Sequence, residues 1–256
     1  MDHIAIIRSE AQRFADTLAH TAPDARCPTC PDWNAADLLW HLTEVHAFWA
    51  GVLASDARSD ADIEAVERSK PARPSAPAEL LALREEATTA LLQQLDRLDD
   101  AEPRWSWWPP EQTVGFTRRM QTYEATMHRV DAELTAGVPV GEIDPEVAAG
   151  AVDHAVDVMW GWMPGAAVYT PRAVVELVAT DAEGRWPVEV GQWTGGGFES
   201  AMPRGVRAAD GEATATVSAP VVDLALWAWT RGGSVQTTGE PEALAAMGAL
   251  VANGIP

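Results

Sequence analysis

With 256 residues, 47% of them hydrophobic, the chain can bury one large core or two modest ones, and no apolar run reaches membrane-spanning length. A formal net charge of −20, with Lys70 the one lysine among eighteen basic residues, repels phosphate backbones and anionic lipid and argues against nucleic-acid and membrane partners. The N-terminus lacks a basic segment followed by a long apolar one, so a cytoplasmic address is expected.

Residues 4–20 carry Ile7, Ala11, Phe14 and Leu18 at helical spacing. Asn34 is a good cap for a second helix, with Asp37 complementing its dipole, and the helix runs through Leu38, His41, Leu42, Val45, Phe48 and Trp49 to Val52. Residues 55–77 are polar and Pro-rich and are read as a long, mobile connection. Helical periodicity resumes over residues 78–98 through Leu80, Leu83, Ala87, Leu91 and Leu95. A fourth helix spans residues 116–136 and stops at Gly137. Residues 145–160 are a candidate fifth helix leading to Met163-Pro164-Gly165, taken as the domain boundary. Beyond it the period changes: residues 173–179, 186–193 and 213–218 read as strands. Residues 220–230 and 241–253 read as helices, each with Pro near the first turn. The expected architecture is α + (α+β), with a helical unit over residues 1–163 and a small α+β unit over 164–256.

The chemistry concentrates in Glu124-Ala-Thr-Met-His128-Arg-Val-Asp131. Glu124 and His128 are four apart and share one helix face, with Asp131 nearly on the same line. A carboxylate and an imidazole so placed can hold a divalent metal, and a histidine from a facing helix would complete three ligands and leave an open position. His41, inside an otherwise apolar stripe, is the candidate, although a satisfied core histidine is the usual reading of such a residue. His46 lies about 140° round the helix from His41 and is not expected to share a metal with it. His3, His20 and His154 are read as surface or structural residues. Trp105, Trp107 and Trp108 crowd the loop before the fourth helix, either as a pocket wall or as a plug at the end of the bundle. Cys27 and Cys30 have the spacing of a redox pair or half a zinc site. With no second cysteine pair and no βαβ pattern around them, they are read as packing residues on the approach to a helix.

Four motifs fall in order: Cys30-Pro-Asp-Trp33, Asp37-Leu-Leu-Trp-His41-Leu, Arg118-Arg119-Met120, and Glu124-Ala-Thr-Met-His128-Arg-Val-Asp131-Ala-Glu133. With Ala219-Pro-Val-Val-Asp223 through Trp227-Ala-Trp229-Thr-Arg231 in the tail, the chain resembles the mycothiol-dependent maleylpyruvate isomerase family across nearly its whole length. The resemblance implies a DinB-like metal-binding four-helix bundle followed by a sterol-carrier-like α+β domain. It implies Zn²⁺, or another divalent metal, held by His41, Glu124 and His128, and mycothiol as the thiol cosubstrate. Asp131 then either backs a ligand or pairs with an arginine. Tyr123, where relatives often carry His, and Val152-Asp153-His154, in place of a more acidic pair, bear on the substrate rather than the metal.

The expected activity is thiolate addition to an electrophilic small molecule, giving cis–trans isomerisation. A mycothiol S-transferase is the alternative reaction, and a non-enzymatic binder of metal and small ligand the alternative class. A zinc-bound thiol is deprotonated, which serves isomerase and transferase equally. Arg231 is the candidate to bind a carboxylate on the substrate, with a solvent-exposed helix-end arginine as its plain alternative; Trp105, Trp108 and Arg119 are pocket candidates, and Arg118 and Arg119 fit a structural role equally well. The protein is expected as a monomer or weak homodimer.

Overall fold

The computed structural model describes residues 1–255 and divides into two compact units, 1–142 and 143–256. The first unit holds helices α1 (His3–Ala19), α2 (Ala35–Ala54), α3 (Asp60–Ser69), α4 (Pro77–Arg97) and α5 (Val114–Ala136). Helices α1 and α5 pack together, as do α2 and α4, and α2 also meets α5. Ile7, Phe14, Leu38, Leu42, Leu91 and Leu95, all fully buried, form its interior. The four long helices lie where the apolar spacing puts them, because each stripe buries its side chains against a neighbour.

Helix α3 was not expected within residues 55–77. Ser59 and Asp62 form a reciprocal capping box that starts it despite the surrounding prolines. Val66 then packs onto Gly51 of α2, where a Cβ would stand 2.9 Å from the Val66 side chain. Only a glycine leaves that approach open.

The second unit begins ahead of the expected boundary at 163/164. Helix α6 (Pro145–His154), followed by a π-helical turn at Ala155–Met159, packs on α7 (Val221–Ala228) within this unit. Its apolar residues Val147, Ala148, Ala151 and Val152 are buried there. The five strands are β1 (Ala167–Ala179), β2 (Arg185–Gly195), β3 (Phe198–Arg207), β4 (Ala215–Ala219) and β5 (Gln236–Gly239), in spatial order β3-β2-β1-β4-β5. Only the β1–β4 pair is parallel. Helix α8 (Pro241–Ala252) packs on β1, β2 and β3. Strands β3 and β5 were missed by the sequence reading, since both carry little of the apolar alternation that marks a strand. Pro256, the last residue of the expected second domain, lies outside the described residues.

Helix α5 is the bundle's interior helix: most of its residues from Val114 to Glu133 are buried. Arg129 on it is 0% exposed and donates from Nε to Glu10 at 2.6 Å, from Nη1 to Glu133 at 2.7 Å and to the Gly141 carbonyl at 3.1 Å, and from Nη2 to the Glu142 carbonyl at 3.2 Å. Arg13 pairs with the same two glutamates at 3.1 and 3.2 Å from the outer side. Removing one partner of a buried ion pair strands the others without solvent, at a cost of about 3–5 kcal/mol. Arg129→Ala should therefore lower the urea midpoint by an equivalent amount with little change in m; a loss below about 1 kcal/mol would mean that Arg13 alone satisfies both carboxylates.

Candidate metal centre

Two helices place the candidate ligands. Asn34 and Asp37 close a capping box that fixes the start of α2, and His41 follows on its second turn. Thr113 caps α5, which carries Glu124 and His128 one turn apart toward α2. His128 Nε2 stands 3.2 Å and His41 Nε2 3.6 Å from Glu124 Oε1. One ligand atom from each of the three residues lies within 4.8 Å of the other two. The two imidazoles meet edge to face, with ring centroids 4.7 Å apart.

These spacings suit a shared cation. Bonds of about 2.0–2.1 Å in a tetrahedron put neighbouring donor atoms about 3.3–3.4 Å apart. The His41 Nε2 is buried and makes no hydrogen bond in the structure, although it faces a carboxylate. A buried imidazole nitrogen without a hydrogen-bond partner, 3.6 Å from a carboxylate oxygen, fits a cation ligand. The donor set of two imidazoles and one carboxylate also suits zinc.

The wall behind His128 is built as carefully as the front. Its Nδ1 lies 2.9 Å from Asp131 Oδ2, which holds the ring with Nε2 turned to the centre. Asp131 is 0% exposed and accepts a second hydrogen bond, from Thr29 Oγ1 at 2.5 Å. The Trp33 ring packs on His41 with centroids 4.6 Å apart. Thr29 and Trp33 were missed as site residues in the sequence. The signal was their place in the loop directly before the Asn34 cap.

Burial disfavours charge on both Glu124 and His128, and their contacts overcome it. Facing imidazoles hold the Glu124 carboxyl well below the usual carboxylate range. Against desolvation, hydrogen bonds to Asp131 and Glu124 raise His128 to about 9. The pocket demands positive charge, and without a metal a proton supplies it. His46 behaves differently: wholly buried, it is pushed down to about 3 by desolvation and hydrogen-bonds Thr88 at 2.9 Å, apart from the three ligand candidates.

The remaining candidates lie elsewhere. Trp105 stacks on Trp49 with centroids 6.0 Å apart and donates to Asp60, while Trp107 and Trp108 pack on one another at 6.0 Å. Trp105 thus sits beside Phe48, seven residues or about 10 Å along α2 from His41, as a plug rather than a pocket wall at the ligands. Arg119 makes a two-pronged pair with Glu111 at 2.6 Å, and Arg118 donates to the Leu98 carbonyl at 2.9 Å. Arg231, in the second unit, is 4% exposed and donates from Nη1 to the carbonyls of Trp229 and Ile255, each at 2.6 Å. His3 bonds Thr122 at 3.0 Å, His20 bonds the Asp16 carbonyl at 2.8 Å, and His154 stacks on Trp229.

Comparison with known proteins bears on the whole arrangement. The model of the mycothiol maleylpyruvate isomerase N-terminal domain matches residues 4–133. A crystal structure of mycothiol-dependent maleylpyruvate isomerase superposes with a TM-score of 0.59 at 15% identity, covering 93% of each chain. That of a histidine-to-alanine mutant does so with a TM-score of 0.60 at 14% identity, again over 93% of each chain. At such identities the likeness is one of fold. A comparison with curated protein sequences finds no match.

The raised His128 value fixes a pH dependence for the metal-free protein. A histidine whose folded value lies above its unfolded 6.5 stabilises fully below that pH, and the contribution is lost as pH rises through about 9. Denaturation in chelator should therefore show stability falling by on the order of 3 kcal/mol from pH 6.5 to 9. Glu124, held low, stays charged throughout this window and adds no slope. His128→Gln should flatten the profile; an equal slope in that variant would sink the assignment.

Proposed function

The chain belongs to the mycothiol maleylpyruvate isomerase N-terminal domain family, and on that premise we propose that it is a zinc-dependent enzyme that uses mycothiol, a low-molecular-weight thiol, on an electrophilic small molecule. The observation that carries this reading is the convergence of His41 Nε2, the Glu124 carboxylate and His128 Nε2 within 4.8 Å. When bound there, a divalent cation supplies a Lewis acid that keeps a thiol deprotonated at neutral pH, with one position left open by three protein ligands.

The chain's own residues prepare that position. Asp131 accepts the Nδ1 proton of His128 and so leaves Nε2 as the lone-pair donor. Thr29 anchors Asp131, and Trp33 limits the swing of His41. Glu124 brings a negative charge to the front of the centre and Asp131 a second one behind His128, both of which would favour a divalent cation there.

The reaction we assign is addition of the mycothiol thiolate to an activated double bond, rotation about the resulting single bond, and elimination that returns the thiol and the trans isomer. A thiolate that adds or displaces without elimination makes the protein an S-transferase.

His41→Ala, Glu124→Ala and His128→Ala should each drop zinc from stoichiometric to trace by plasma emission, and abolish thiol-dependent turnover on a panel of maleyl and haloalkyl electrophiles. His46→Gln should retain zinc. Full metal occupancy without turnover would leave a metal-bearing small-ligand binder; wild-type protein that takes up no divalent metal would end the proposal.

A further inference from the structure

Neither thiol of Cys27-Pro-Thr-Cys30 has a part in the function proposed above. Cys27 is 1% exposed, set in the core cluster of Phe14, Leu38, Leu42 and Ala132, and Cys30 lies half-buried at the edge of that cluster. The loop closes on itself: the Cys27 N–H donates to the Trp33 carbonyl at 3.0 Å, and the Trp33 N–H to the Cys30 carbonyl at 2.9 Å. Thr29 Oγ1 lies 3.3 Å from the Cys27 sulfur. The neighbouring Cys30 side chain, opposed by burial, brings Cys27 down to about 5, which favours its thiolate. The half-buried member is placed to meet a reagent, and the buried one to resolve what forms.

The same loop touches both imidazoles of the candidate centre, through Trp33 on His41 and through Thr29 and Asp131 on His128. Thr29 links loop and centre, donating its hydroxyl proton to Asp131 Oδ1 at 2.5 Å while its oxygen stands 3.3 Å from the Cys27 sulfur. We propose that Cys27 and Cys30 are a dithiol–disulfide couple whose substrate is a low-molecular-weight disulfide, and that closing the couple loosens the candidate metal centre. The second half rests on the metal reading above; the first stands without it.

The chemistry balances. Cys30 loses its proton to solvent and attacks one sulfur of RSSR; the Cys30–SR bond forms, the RS–SR bond breaks, and the departing RS⁻ takes up a proton from solvent. The Cys27 thiolate then attacks the Cys30 sulfur, forming the protein disulfide and releasing the second RS⁻. Two electrons pass from the protein sulfurs to the small disulfide. The two sulfurs must close to about 2.05 Å, which draws Cys30 inward and moves Thr29 and Trp33 with it. A displaced Thr29 loosens its hydrogen bond to Asp131 and with it the hold of Asp131 on His128.

The test treats the full-length protein with uncharged 2-hydroxyethyl disulfide and follows thiol content and intact mass. Wild type should lose both thiols together and the mass of two hydrogens, with no lasting adduct. Cys27→Ser should stop at a mixed disulfide on Cys30, and Cys30→Ser should stay unreacted because its remaining sulfur is buried. Wild-type protein that keeps both thiols, or Cys30→Ser reacting as fast as wild type, overturns the couple. Zinc affinity, measured by competition with a chromophoric chelator, should fall about tenfold or more on oxidation of wild type and stay unchanged in Cys30→Ser treated alike. A disulfide that forms without moving zinc affinity overturns the coupling. Reduced protein that binds no zinc overturns the metal reading and the coupling with it, while the thiol count still decides the couple.

Discussion

A helix buried on nearly every side cannot leave a charge unpaired, and α5 carries Glu124, His128, Arg129, Asp131 and Glu133 within ten residues. The two halves of that set solve the problem differently. Arg129 and Glu133 recruit Glu10 and Arg13 from α1, and two guanidiniums then meet two carboxylates. Charge there is balanced by the chain itself. Around His128 two carboxylates, Glu124 and Asp131, face the ring from either side. On the reading proposed above, a divalent cation would supply the positive charge that these carboxylates favour, and the deficit such an ion fills is what the surroundings have to hold in place.

Filling that deficit in a fixed geometry needs support from outside α5, and the seven residues from Cys27 to Trp33 provide it on two sides at once. Trp33 meets His41 from the front of the loop, while Thr29 reaches Asp131 behind His128. The loop is short and tied at both ends by the Cys27–Trp33 and Trp33–Cys30 main-chain bonds, so its side chains have little freedom to drift. The candidate ligands are held by a loop pinned to the bundle core through Cys27, as much as by the helices that carry them.

The arginines bear on what kind of electrophile fits a chain of such negative charge. Arg231 has Nη1 bound by two buried carbonyls, and redirecting it would forfeit charge-assisted bonds worth about 1.5–3 kcal/mol each. Arg118 holds the Leu98 carbonyl near the end of α4. Arg119 is cheaper to free, since its pair with Glu111 has side chains 42% and 39% exposed and such pairs contribute about 0–1 kcal/mol. It stands five residues before Glu124, however, about 140° round α5 and off the ligand face. Neither Arg118 nor Arg119 is poised as a carboxylate anchor on the face that carries Glu124 and His128.

How far the sequence could be read follows from what periodicity measures. Apolar spacing reports which face of a helix is buried, so α1, α2, α4 and α5 were legible, and so was the shared face of Glu124 and His128. His41 interrupts an apolar stripe, and spacing alone could not separate a ligand from a satisfied core histidine; the motif order did that. Helix α3 was hidden because its start is a Ser59–Asp62 box inside a Pro-rich stretch, a signal of caps rather than of faces. The compact units divide some twenty residues ahead of the expected boundary because α6 packs on α7, which lies some seventy residues on, in a segment no local pattern links to it. Trp105 looked like a pocket wall because tryptophan is a common pocket residue, yet its indole N–H finds Asp60 and its ring finds Trp49. Thr29 and Trp33 were overlooked for the opposite reason. A short polar loop has no period, and the contacts that give these two residues their importance are made more than a hundred residues away at Asp131 and two turns along α2 at His41.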